Sequence, residues 1–408
     1  MDRNIIHLDL DAFFVAVERK KNPALANRPL IIGGTGRRGV VAACSYETRS
    51  FGVHSAMPMH LALQLCPEAK VISGDTEAYS QHSHLVTDII EANAPLFEKA
   101  SIDEFYIDAS GMDRFVGAYR WAIELRQTII RESGLPISLG MSVNKLVSKV
   151  ATGEFKPNAQ KKIEAGDEQH FLAPLAVEKL PMVGKQTAAF LYDMGVRTVA
   201  TLREMPVQFL VSAFGKNGRA LWHKAHGRDD SPVVPFHDQK SISTENTFDS
   251  DSIDVKRLQS ILTAMVEKVA FQLREQKKLA ACVTVKIRYA NFDTETKQAQ
   301  VPYTASDSVI LATATELFQK LYNRRMLIRL IGIRLSNLVN GHHQIHLFDD
   351  TAEDIQLHEA MDFIKQKHGV EKLVRATTLG INNRIRMEMN MFNGKIGKAV
   401  SGNPRPKR

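Results

Sequence analysis

Two apolar stretches of the chain are interrupted by carboxylates. Residues 5–14, Ile-Ile-His-Leu-Asp-Leu-Asp-Ala-Phe-Phe, alternate so that His7, Asp9 and Asp11 share one face of a strand. Residues 101–108, Ser-Ile-Asp-Glu-Phe-Tyr-Ile-Asp, put Asp103 beside Glu104 in a run of strand formers, which predicts a strand over 100–108. Burying adjacent acids is costly, because like charges repel and burial disfavours ionisation. A divalent cation is the simplest compensation, since Mg²⁺ takes hard oxygen ligands from one or two carboxylates plus substrate phosphates. Alone, an Asp-Glu pair reads as a strand end with two solvated acids; a second acidic strand makes a shared site the better account. Neighbours in a flat strand point to opposite faces. Asp103 and Glu104 therefore reach one site only where the strand bends or ends.

The rest of the pattern alternates strands and helices. Residues 29–32 and 40–44 predict strands around the glycine-rich turn 33–39, which matches neither common phosphate-loop pattern and reads as a mobile hairpin. Helices are expected over 58–66, around 79–93, over 119–132 and over 144–152, with a strand over 137–143. In the third helix Ile123, Leu125, Ile129 and Ile130 are expected to face inward. Residues 180–196 and 215–219 place glycine turns before helices, where backbone N–H groups bind a DNA phosphate without reading sequence. An ordinary helical domain with glycine caps is the plainer alternative. From 240 to 338 the order is β-α-β-β-α-β, the split βαβ arrangement. On its second strand Val283, Val285, Ile287 and Tyr289 face one way and Thr284, Lys286 and Arg288 the other. A sheet with helices on one face and cations on the other is built to lie on phosphates. Farther on, Ile355, Leu357, Ala360, Met361 and Ile364 form an apolar helical stripe.

Composition adds bounds rather than detail. A chain of 408 residues has room for two to four domains. Its 53 Lys and Arg against 45 Asp and Glu give a formal charge of +8, which suits a polyanionic partner. Cys44, Cys66 and Cys282 make no CxxC pair and no disulfide framework, so a reducing compartment is expected. His342, His343 and His346 lack a Cys or acidic partner at ligand spacing. No signal-peptide pattern opens the chain and no apolar run approaches the ~18 residues that span a bilayer, so a soluble, cytoplasmic protein is expected. Residues 394–408 hold five cations and no acid among Gly and Pro, the composition of a disordered basic tail.

Four motifs carry a resemblance. They are DxDxFFxxVE at Asp9–Glu18, SYExR at Ser45–Arg49, SIDExxxD at Ser101–Asp108 and KPN at Lys156–Asn158. Together they resemble the Y-family, lesion-bypass DNA polymerases, most closely the DNA polymerase IV branch, over roughly residues 1–345. The resemblance implies an α+β multidomain, right-hand polymerase. Its palm would comprise 1–27 and 77–165, its small fingers 28–76, its helix–hairpin–helix thumb 166–233 and a linker 234–240. A ferredoxin-like, DNA-binding little finger over 241–341 would follow, then a clamp-binding peptide, an amphipathic helix and the basic tail over 342–408.

The implied activity is template-directed addition of deoxynucleotides to a primer 3′ end with two Mg²⁺ ions, at low fidelity and without proofreading. Asp9, Asp103 and Glu104 would be catalytic and, with the Leu10 backbone carbonyl, would ligate the metals; Asp11 and Asp108 would be structural. Phe13 and Phe14 would lie by the nucleotide, Phe14 as the steric gate against a 2′-hydroxyl and Phe13 reading also as core. Tyr46, Arg49 and Lys156 would hold the triphosphate, Arg49 through its planar donor fork. Gly184, Lys185, Gly215, Lys216 and Gly218 in the thumb, and Lys286, Arg288 and Arg334 in the little finger, would contact DNA. Gln344, Leu347 and Phe348 resemble a clamp-docking peptide. The implied partners are primer–template DNA, deoxynucleoside triphosphates and a sliding clamp, and the protein is expected to be a monomer without membrane contact.

The chain departs from the family at Met182 and Ala159, where glycine is usual, and at Ser243-Thr244, where Gly-Arg is usual. Two alternatives remain. Diguanylate cyclases carry a similar acidic palm, but need two glycines where Ser101 and Ile102 stand. A catalytically inactive DNA-binding scaffold would have no use for Asp9, Asp103, Glu104, Arg49 and Lys156 together.

Overall fold

The computed structural model describes residues 3–112, 117–341, 352–370, 372–379 and 381. Gln344, Leu347, Phe348 and the basic tail lie outside them. The chain divides into two compact units, one ending at His237 and the next beginning at Asp238. Among the described residues no helix is long and apolar enough to cross a membrane.

The first unit runs β1 (Ile5–Leu10), α1 (Phe13–Lys21), β2 (Leu30–Gly33), β3 (Val41–Cys44), α2 (Tyr46–Arg49), α3 (Met59–Leu65), β4 (Lys70–Ile72) and α4 (Thr76–Asn93). Then come β5 (Phe97–Lys99), β6 (Glu104–Asp108), α5 (Ala118–Ser133), β7 (Ile137–Ser142), α6 (Lys145–Phe155) and β8 (Gln160–Lys162). The helices α7 (Glu168–Leu172), α8 (Lys185–Asp193), α9 (Val199–Glu204), α10 (Val207–Phe214) and α11 (Lys216–Ala225) complete it.

Its main sheet has the order β5-β6-β1-β7-β8, with β1 antiparallel to both neighbours. Ile6, Leu8, Phe105 and Ile107 bury one face against α4 and α5. Helix α6 covers the opposite face. It lies close because Gly140 in β7 has no side chain: a Cβ there would sit 2.2 Å from the Ser148 carbonyl oxygen. A small sheet, β3-β2-β4, has its own core around Ile31, Val41 and Cys66. Helices α7–α11 share a third core with α6, through Val147, Leu191 and Leu210.

The second unit comprises β9 (Ser241–Ser252), α12 (Val255–Glu275), β10 (Lys278–Tyr289), β11 (Thr294–Thr304), α13 (Asp307–Leu321), β12 (Ile328–Asn340) and α14 (Ala352–His368). Its antiparallel sheet is ordered β11-β10-β12-β9. Val283, Val285, Ile287 and Tyr289 are buried under α12 and α13, as their alternation predicts.

Four expectations are corrected. The strand expected over 100–108 begins only at Glu104, after a bend over residues 101–103. In α5 the buried face carries Ala122 and Arg126 beside Leu125 and Ile129, and Ile123 is only half-buried. Arg126 can be buried because its Nε donates to the Ile137 carbonyl at 2.7 Å and its Nη2 to Asn158 Oδ1. The helix expected over 144–152 continues through Gly153 to Phe155. The apolar stripe of α14 faces outward: Leu357 is 56% exposed, and His358 and Lys365 are buried instead. Charge decides that face. The buried Arg274 binds Asp307 and Asp362, each at 2.6 Å, and holds the helix by its polar side.

Candidate active site

Asp9 on β1 stands directly opposite Glu104 on β6, and His7 opposite Tyr106, so all four share the face under α6. The bend makes this possible. Ser101 Oγ accepts from the backbone N–H of Asp103 and Glu104, and donates to Asp103 Oδ1 at 2.6 Å. Glu104 thereby becomes the first strand residue, facing Asp9, with Asp103 just outside the ladder. Single ligand atoms of His7, Asp9 and Glu104 lie within 4.8 Å of one another, while the carboxylate of Asp103 is turned to Ser101.

Lysines from α6 and the turn after it balance these acids. Lys149 Nζ donates to both Glu104 oxygens at 2.6 and 2.7 Å. Lys156 Nζ is 2.5 Å from Asp9 Oδ1 and 3.4 Å from the Leu10 carbonyl oxygen. Oxygens of Asp9 and Leu10 thus already converge on one cation, and that hard donor set suits a divalent ion. Asp11 fixes the turn, accepting from Ser138 Oγ at 2.9 Å and from the Asn158 N–H at 2.7 Å. The positive φ of the turn, 54°, falls at Asn158, a residue that tolerates it, so Ala159 is accommodated.

Burial pushes the Asp9 carboxyl up to about 6; Lys156 opposes the shift, and Asp103 and Glu104 add to it. His7 is held well below the usual imidazole range, by burial first and then by Lys149, Lys156 and Lys145. Tyr46 is raised to about 12 by burial and then by Asp11, towards which its hydroxyl points at 3.5 Å.

Helix α2 is capped by Ser45, whose side chain accepts from the Thr48 N–H. It presents Tyr46 with the exposed Arg49 guanidinium 4.5 Å over its ring. Phe13, expected beside the nucleotide, is buried in the core at 3% exposure because its neighbours there are apolar. Phe14 is only half-buried and stacks on Tyr79 at 4.3 Å and 12°. Tyr79 is itself anchored by donating to Glu18 Oε1 at 2.8 Å.

Gly184 with Lys185, and Gly215 with Lys216, are exposed at the starts of α8 and α11, neither of which has a side-chain cap. Met182 takes φ 79°, a conformation that glycine adopts without strain. Gly218 differs from expectation. It is buried, its amide donates to the Gly215 carbonyl, and a Cβ would lie 1.9 Å from the Leu210 oxygen. It is a packing glycine between α10 and α11. In the second unit Lys286, Arg288 and Arg334 share the polar sheet face; Lys286 pairs with Glu245 at 2.9 Å, and Arg334 is exposed.

Sequence reasoning passed over Lys149, Tyr79 and Ser138. The i, i+4 spacing of Lys145 and Lys149 on a predicted helix was a usable signal for the first; the other two depend on tertiary approach.

Residues 8–153 match the impB/mucB/samB family and residues 239–347 its C-terminal domain. A DNA polymerase IV of Dehalococcoides mccartyi is 36% identical over 380 residues, 92% of this chain and 97% of that one. A DNA polymerase IV of Listeria monocytogenes is 37% identical over 339 residues, 82% of this chain and 95% of that one. Among solved structures, a Y-family DNA polymerase chimera superposes with a TM-score of 0.76 at 25% identity, over 83% of this chain and 100% of that one. DinB from Sulfolobus solfataricus, also at 25% identity, gives 0.58 over the same shares. Agreement over both the acidic strands and the split βαβ unit is decisive: the chain belongs to the Y-family DNA polymerases, in the DNA polymerase IV branch, and is a translesion-type DNA-directed DNA polymerase.

Proposed function

We propose that this polymerase extends a primer on template DNA by two-metal nucleotidyl transfer. The primer 3′-oxygen forms a bond to the α-phosphorus of a deoxynucleoside triphosphate, the bond to pyrophosphate breaks, and the hydroxyl proton departs. Such transfer depends on positioning and charge neutralisation. The observation that carries the reading is Asp9 opposite Glu104, with a cation already seated on Asp9 and the Leu10 carbonyl. Asp9, Asp103, Glu104 and that carbonyl would hold two Mg²⁺ ions, which when bound neutralise the attacking and leaving oxygens.

The chain's own residues do the rest. Lys156 exchanges Asp9 for the β- and γ-phosphates, joined by Tyr46 and Arg49. Phe14 bars a 2′-hydroxyl. Gly184, Lys185, Gly215 and Lys216 hold duplex backbone, as do Lys286, Arg288 and Arg334, and DNA affinity should fall steeply with salt. The protein acts as a monomer at low fidelity and without proofreading, and Gln344, Leu347 and Phe348 dock it on a sliding clamp.

Primer extension tests the core of this. Asp103→Ala should lower the rate at least a thousandfold, on the order of 4 kcal/mol of transition-state stabilisation, with DNA binding nearly intact. Extension within tenfold of the parent would place the chemistry elsewhere.

A further inference from the structure

Nucleotidyl transfer as described uses the carboxylates and leaves His7 aside. His7 is 1% exposed, and its Nε2 is buried without a hydrogen-bond partner among the described residues. That nitrogen aims at the acids. Glu104 Oε1 lies 4.0 Å away, too far for a hydrogen bond. One ligand atom each from His7, Asp9 and Glu104 falls within 4.8 Å of the others. Around a cation with ligands at about 2.1 Å, ligand atoms stand roughly 3 to 4.2 Å apart. Closure on the order of 1 Å would let these three share an ion.

Thr152 faces the other ring nitrogen of His7. Its Oγ1 lies 2.9 Å from His7 Nδ1, 2.9 Å from the Ser148 carbonyl oxygen and 3.2 Å from the His7 carbonyl oxygen. A hydroxyl has one hydrogen and a carbonyl can only accept; with that hydrogen on either carbonyl, Nδ1–H donates to Oγ1. In that tautomer Nε2 keeps a lone pair and its orientation is fixed from behind, as in metal-binding histidines.

We propose that His7 Nε2 is a nitrogen ligand of the divalent cation held by Asp9 and Glu104, which biases this site towards Mn²⁺ and the borderline cations over Mg²⁺. Imidazole raises affinity for such ions more than for Mg²⁺, which favours oxygen. The inference rests on the reading of Asp9 and Glu104 as cation ligands.

The test uses the full chain without nucleotide, loaded with less than one equivalent of Mn²⁺ and examined by electron spin echo. Modulation from a directly bound histidine nitrogen is expected. It should change on isotopic labelling of histidine and vanish in His7→Gln. Calorimetric titration should show Mn²⁺ affinity falling about tenfold or more in His7→Gln, and less in Thr152→Val, with Mg²⁺ affinity within about twofold of the parent in both. A parent spectrum without nitrogen modulation, or modulation that survives His7→Gln, overturns the proposal. Asp9→Asn separates the two readings: it should abolish binding of both ions. If Asp9→Asn binds Mn²⁺ as the parent does, the carboxylate reading fails as well; if it does not bind but the parent lacks nitrogen modulation, only the His7 proposal fails.

Discussion

Lys156 Nζ lies 2.5 Å from Asp9 Oδ1, yet the Asp9 carboxyl stands raised at about 6, because burial outweighs the ion pair. A raised acid makes the folded state hold more protons than the unfolded chain between the ordinary value, about 4, and the folded one. Stability of the metal-free protein therefore falls as pH rises through that window, and is lowest in this respect above it. Asp9→Asn should stabilise the metal-free protein near neutral pH, by on the order of 1–2 kcal/mol, and much less near pH 4.5. Denaturant unfolding in chelator at the two pH values measures the difference; a gap independent of pH would contradict the assignment.

Phe14 lies flat against Tyr79. Removing the ring, Phe14→Ala, should leave deoxynucleotide addition active and raise ribonucleotide use on the order of a hundredfold, since rejection by clash needs only a rigid group in place. Tyr79→Ala, which takes away the backing, should give a smaller rise. The quantity to measure is the ratio of kcat/KM for dCTP and CTP opposite template G. Equal ratios in parent and Phe14→Ala would return Phe14 to a purely structural role.

Met182 is 66% exposed and holds φ at 79°, a conformation costly for a residue with a Cβ. Met182→Gly should stabilise the first unit by about 0.5–1 kcal/mol, with little packing lost. Thermal melting reads this directly. A lower melting temperature would mean that the methionine makes contacts worth more than the strain.

Gly184 and Gly218 should separate cleanly. A Cβ on Gly184 meets nothing within 4 Å, whereas one on Gly218 would strike the Leu210 carbonyl oxygen at 1.9 Å. Gly218→Ala should cost several kcal/mol, about 3 or more, by forcing α10 and α11 apart. Gly184→Ala should fold normally, so any change in its DNA affinity reports the helix start alone. Normal stability of Gly218→Ala would refute its role as a packing glycine.

Local patterns were enough for much of this protein. Alternation settled which face of β10 is buried, since residues two apart must share a face. The acids in two apolar runs located the site, because a buried carboxylate requires compensation that few folds provide without a function. Tertiary structure decided the remainder. The sequence could say only that Asp103 and Glu104 meet one site if the strand bends; the register of β1 on β6 put Glu104 opposite Asp9 and left Asp103 in the bend. Phe13 and Phe14 are alike in sequence and part company only through what packs on each. The α14 stripe pointed outward because Arg274, far away in the chain, pairs with Asp362 on the helix's polar side. Gly218 resembles a phosphate-binding glycine until Leu210 is seen beneath it. Periodicity reports the faces of an element, but which face is buried where a charged and an apolar face compete for the core, as on α14, and which polar atom lacks a partner, depends on elements distant in sequence that pack against it.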